Sequence, residues 1–144
     1  MSTPVAAVVT AMMSALQAPP AIAEQIARVR LRPFSSATTT AVAVRPIDAE
    51  RDESSLSFSG LSVWAVRVGV ECYARSTSTT PDLAVDDLLA DVHERLMTDP
   101  TLSGVVPGGL EPRGISFDFD AEGDQFACGT LVLTARVTSG PSFQ

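Results

Sequence analysis

The sequence predicts an α+β fold: one mixed, mainly antiparallel β-sheet of about five strands, with two α-helices packed on one face. Three observations predict it. In Ser62–Arg75 the even positions Trp64, Val66, Val68, Val70, Cys72 and Ala74 are apolar, while Arg67, Glu71, Tyr73 and Arg75 fill odd ones. That period of two marks a strand with one face on a core. In Pro81–Met97, Leu83, Val85, Leu88, Leu89, Val92, Leu96 and Met97 recur with the helical period, opposite Asp86, Asp87, Asp91, Glu94 and Arg95. The remaining alternating stretches are joined by turns of the hairpin kind. Neither the strand nor the helix buries its apolar face alone, and a sheet with helices on one side is the simplest solution. At 144 residues the chain fits a single domain, 1–144.

Taken in order, Thr3-Pro4 reads as a helix cap followed by proline at the first helical position. Val5, Val8, Val9, Met12, Met13 and Leu16 make a helical stripe that ends before Pro19-Pro20. Ala23 to Leu31 alternates, with Ala27, Val29 and Leu31 on one face and Arg28, Arg30 and Arg32 on the other. Two readings stand for the arginine stripe: a solvated outer face, or an electrostatic contact to an acidic neighbouring subunit. After a turn at Ser35–Thr39, Thr40 to Arg45 forms a second strand, expected to pair with the first as a hairpin, with Val42 and Val44 inward. Residues 47–60 carry mixed charge with little periodicity and read as a flexible arm.

The strand at Ser62–Arg75 leads to the second helix, where Thr80 is placed to cap, Pro81 to start and Asp82 to suit the helix dipole. Residues 98–114 are dense in Gly and Pro and read as a connection. Ile115, Phe117 and Phe119 alternate with Ser116, Asp118 and Asp120 in a fourth strand. A turn at Asp120–Asp124 precedes a last strand, Phe126 to Thr138, with Leu131, Leu133, Ala135 and Val137 on one face. Residues 139–144 read as a loose tail.

Composition excludes several classes. The formal net charge is −7 and all ten basic residues are Arg, which argues against a nucleic-acid backbone as the main partner. No apolar run reaches the roughly 18–20 residues that span a bilayer. No Arg or Lys precedes Arg28, so a secretory signal is not expected. Cys72 and Cys128 sit in strand patterns and read as two buried thiols. The single histidine, His93, has no partner at metal-ligand spacing and reads as a surface residue. Asp118 to Asp124 imitates the start of a calcium loop, but the twelfth position, where a bidentate Glu belongs, is Gly129. Gly108-Gly109 lacks the Lys and Ser/Thr of a phosphate loop. No catalytic, cofactor or metal site is expected.

The run Val70-Glu-Cys-Tyr-Ala-Arg75, the helix Asp82–Met97, Asp99-Pro-Thr-Leu-Ser-Gly104 and the closing strand Thr130–Val137 together resemble the small tail-terminator (tail-completion) proteins of long-tailed bacteriophages. The N-terminal helix and Val44-Arg45-Pro46 also fit that pattern. The resemblance implies a structural virion protein of the tail or neck, assembled in the host cytoplasm, not an enzyme. It implies a homo-oligomeric ring, typically hexameric, that sits on the head-proximal end of the tail tube, stops its polymerisation and presents the surface joining the head. The implied partners are copies of itself, the tail tube protein and a head-completion or connector protein, with DNA passing through unbound. A ring needs heterologous contacts between two different patches of one subunit. The candidate contact residues are Arg28, Arg30 and Arg32, with Asp48, Glu50, Arg51, Asp52 and Glu53 of the arm, while part of the acidic excess would line the channel. The alternatives are another neck component or a small ligand-binding α+β domain.

Overall fold

Alternation and helical period are both realised. The computed structural model describes residues 3–28, 39–51, 62–75, 81–119 and 126–139. Its elements are α1 (Pro4–Gln17), β1 (Gln25–Arg28), β2 (Thr40–Arg51), β3 (Ser62–Arg75), α2 (Pro81–Thr98), β4 (Glu111–Phe119) and β5 (Phe126–Ser139). The strands form one five-stranded sheet in the order β1-β2-β3-β5-β4. Residues 35–38 of the expected turn at 35–39, the whole expected turn at 120–124, the cap at Thr80 and residues 140–144 of the expected tail at 139–144 lie outside the described residues.

The core lies between the sheet and the two helices. Val66, Val68, Val70, Cys72 and Ala74 of β3 are buried there with Val42 and Val44 of β2 and Leu131, Leu133, Ala135 and Val137 of β5. Val8, Val9, Met12 and Leu16 of α1 and Val85, Leu88, Leu89, Val92 and Leu96 of α2 cover them. Each of the Val, Leu and Met side chains contributes on the order of 1.5–3 kcal/mol when fully withdrawn from water. Leu83 departs from the predicted stripe and is 59% exposed. Two residues before Val85, it falls on the opposite side of the helix from the buried set.

α1 begins as predicted at Pro4, but the Thr3 side chain makes no capping hydrogen bond; the Ala6 N–H donates to the Thr3 carbonyl instead (3.2 Å). Its C-terminus has no left-handed cap, since Ala18 is extended. Arg95 of α2 fills that role. Its guanidinium donates to the carbonyls of Ala15 (3.3 Å), Ala18 and Pro20 (2.6 Å), groups a helix end otherwise leaves unpaired.

Two expectations are corrected. β1 and β2 are parallel, Gln25 beside Ala41 through Arg28 beside Val44, not a hairpin. Glu24 pins both strand starts side by side: its carboxylate accepts from the Thr39 N–H (3.1 Å) and hydroxyl, and its own N–H donates to Thr40 Oγ1 (3.1 Å). β2 also continues through Arg51 where the arm was expected. The register slips between Pro46 and Asp48, and the extra residue, Ile47, restores pairing for Asp48–Arg51 against β3. Proline and three charges hid this half of the strand; 52–60 lie outside the described residues.

The Asp99–Gly104 motif closes α2. The Asp99 carboxylate accepts from the Thr101 hydroxyl (2.6 Å) and the Ser103 N–H (2.9 Å). Leu102 and Ser103 take positive φ, Gly104 follows at +91°, and Leu102, Val106 and Leu110 are buried as a plug at the helix end. A stretch that reads in the sequence only as a connection thus carries core.

Candidate assembly surfaces

The helix-free face of the sheet is charged and cross-braced. Direct antiparallel neighbours share a face, so Asp48, Arg67, Thr134 and Glu111 form one row across four strands. Arg67 Nε donates to Asp48 Oδ1 (2.8 Å), and its Nη2 pairs with the other carboxylate oxygen. The Arg67 guanidinium holds the Asp48 carboxyl below its ordinary range, and Asp48 in turn raises Arg67. Arg113 Nη2 lies 3.4 Å from Glu111, and its Nε donates to Thr134 Oγ1 (3.4 Å). Arg45 meets Glu71 at 3.1 Å, and the Tyr73 hydroxyl donates to the same carboxylate (2.8 Å). These pairs are largely exposed and individually weak, so their effect is to fix the orientation of side chains rather than to hold the fold. A hollow of about 510 Å³ on this face is lined by Asp48, Glu50, Arg67, Arg113, Thr134 and Arg136.

The predicted contact residues therefore do not form one patch. Asp48 and Glu50 lie on the helix-free face beside three arginines the sequence did not single out: Arg67, Arg113 and Arg136. Arg51 ends β2, in register with Trp64 and on the helix side. Arg28 sits on the adjacent edge strand, β1, and it too faces the helices. Ile26 and Arg28 share rows with the inward Val42 and Val44, and Arg28 Nη1 donates to Thr10 Oγ1 of α1 (2.9 Å). The predicted face of β1 is thus inverted, because parallel pairing with β2 puts Ile26 in the core. Arg30, Arg32, Asp52 and Glu53 lie outside the described residues.

The β4 edge differs in kind. Glu111 through Asp118 are all exposed, and on the helix side Ile115 and Phe117 remain 52% and 49% exposed. The sequence reading placed these two in the strand pattern without separating them from the core. A Cβ on Gly129, directly opposite Phe117, would come within 2.7 Å of Leu89 Cδ1 and 3.4 Å of Phe117 Cε1. The glycine lets α2 sit down on β5, and Phe117 closes against its far side.

Among the described residues no group of three His, Cys, Asp or Glu side chains could hold a metal ion, and no helix is long and apolar enough to cross a membrane. His93 is exposed on α2. Burial raises the Cys72 thiol to about 12 and also lifts that of Cys128, so neither is set up as a nucleophile.

A chain in the virion of a native gene transfer agent (GTA) particle superposes on this one with a TM-score of 0.59. The match covers 96% of this chain and 100% of the other at 17% identity. The two chains share a fold. The sheath/tube terminator of an extracellular contractile injection system, PVC, in its extended state, aligns over 96% of this chain and 58% of its own at 15% identity, with a TM-score of 0.39. No protein-family model and no curated protein sequence matches the chain.

Proposed function

We propose that the chain is a structural virion subunit that forms a ring on the head-proximal end of a tail tube, stops its polymerisation and provides the surface joining tail to head. The fold match to a chain of a gene transfer agent virion, over 96% of this chain and 100% of the other, carries this reading. The sequence resemblance to tail-terminator proteins supports the terminator role within the particle. The surface supports it too: the sheet has two different open edges among the described residues, as a heterologous ring contact requires, and its charged face is suited to a protein partner. The partners on this reading are copies of the chain, the tail tube protein and a head-completion or connector protein. DNA passes through the ring without specific binding, consistent with the net charge of −7.

Deleting the chain from the genome that encodes it tests the role. Electron microscopy of the lysate should show tails of uncontrolled length that fail to join heads. Tails of normal length attached to heads would overturn the proposal.

A further inference from the structure

We infer that the β4 edge of one copy pairs antiparallel with the β1 edge of the next, so that the sheet runs on through the ring and the neighbour's α1 closes over Ile115 and Phe117. This rests on the ring proposed above and adds which surfaces meet.

The helix layer stops about one strand short of the sheet's width. Five strands at about 4.8 Å spacing make a sheet roughly 24 Å wide, and two helices of about 10 Å diameter cover some 20 Å of it. α2 packs mainly on β3 and β5 and α1 mainly on β1 and β2; neither is seated over β4. The bare strip is where Ile115 and Phe117 stand half-exposed.

The opposite edge carries a helix with an unused flank. α1 has no charged residue in fourteen, and a helix without a charged side is suited to burial on more than one face. Its Ala15 side meets α2 through Arg95, while Thr10 faces β1 through Arg28. Ala6 and Met13, four before and three after Thr10, share that outer flank. It is uncharged, and Met13 on it is adaptable in shape, fit to pack on an Ile and a Phe.

Strand direction and register agree. β1 is parallel to β2, and three antiparallel steps then lead to β4, so β4 runs opposite to β1. Rotation about a ring axis keeps the sense of strands that run along it, so in that arrangement β4 meets the next β1 antiparallel. One row across the sheet is Ile26, Val42, Cys72, Gly129, Phe117. A closed ring has no rise along its axis; with strands along that axis, the row continues and Ile26 of the next copy lands opposite Phe117. The next row is Ala27, Ala43, Glu71, Thr130, Ser116, on the helix-free face.

Ala27→Cys with Ser116→Cys therefore places two thiols on facing strands, with Cα atoms about 4.5–5.5 Å apart, inside disulfide range. Particles purified from a genome carrying both changes, oxidised and run without reductant, should lose most of the monomer band to a ladder ending at one closed-ring size. Each single variant, which retains Cys72 and Cys128, should stay monomeric. A chain present in particles yet monomeric after oxidation overturns the edge pairing and leaves the proposed function standing; a chain absent from wild-type particles overturns both. Phe117→Asp gives an independent reading: the half-exposed site tolerates the change, so far-UV circular dichroism should be unchanged while incorporation into particles falls at least tenfold. Incorporation at the wild-type level would overturn the inference.

Discussion

Replacing Arg95 with methionine keeps an aliphatic stem against α1 and removes every donor that closes its C-terminus. Three carbonyls lose a partner, those of Ala15, Ala18 and Pro20, and α1 has neither a basic residue in its last turn nor a left-handed cap to replace them. A hydrogen bond to a charged donor contributes roughly 1.5–3 kcal/mol. The site is only half-buried, so water recovers part of each, and the loss is on the order of 2–3 kcal/mol in total. For a domain of this size that lowers Tm by about 6–9 °C. Thermal unfolding followed by circular dichroism measures it, and hydrogen exchange should show fraying confined to the end of α1. A shift under about 2 °C would refute the assignment of Arg95 as the clamp between the helices.

Three further outcomes follow from the packing and the titrating groups. Gly129→Ala drives a methyl into Leu89; overpacking of this kind destabilises by about 1–3 kcal/mol, measurable as a lower urea midpoint, and Leu89→Ala in the same chain should relieve part of the loss. The Glu24, Asp48 and Asp99 carboxyls all titrate below their ordinary values, held down by Thr39, by Arg67, and by Thr101 and Ser103. The unfolded chain therefore takes up protons first, so their stabilisation is present above 4.5 and is lost as the pH falls through 3.8 and below. Melts between pH 6 and 2 should show this acid limb, and Asp48→Asn with Asp99→Asn should flatten it. Cys72, raised to about 12 by burial, should resist a disulfide reagent at pH 8 in the folded chain and react once urea unfolds it.

The alternation at Ser62–Arg75 and the helical stripe after Pro81 were legible because each element's apolar residues fall on one side whatever its neighbours do. Strand sense was not: Gln25–Arg28 pairs parallel to β2 because Glu24 ties the two strand starts together, a contact between residues fifteen apart that no local pattern encodes. The second half of β2 was hidden because the bulge at Ile47 breaks the period of two after Pro46. Ile115 and Phe117 read correctly as a strand pattern, but alternation says only which face a residue takes, not whether a helix lies over it. The same limit hid Arg67, Arg113 and Arg136, which gather on the helix-free face from three different strands. Leu102, Val106 and Leu110 carry no regular period, yet they are buried where the turn around Asp99 folds back on α2.

A reconstruction of the intact particle at its tail's head-proximal end measures the central claim most directly. A closed ring of five-stranded sheets should cap the tube, each with two helices on one face and β4 against the β1 edge of its neighbour. Density for this chain elsewhere in the particle, or a ring whose subunits meet without their sheet edges, would contradict it.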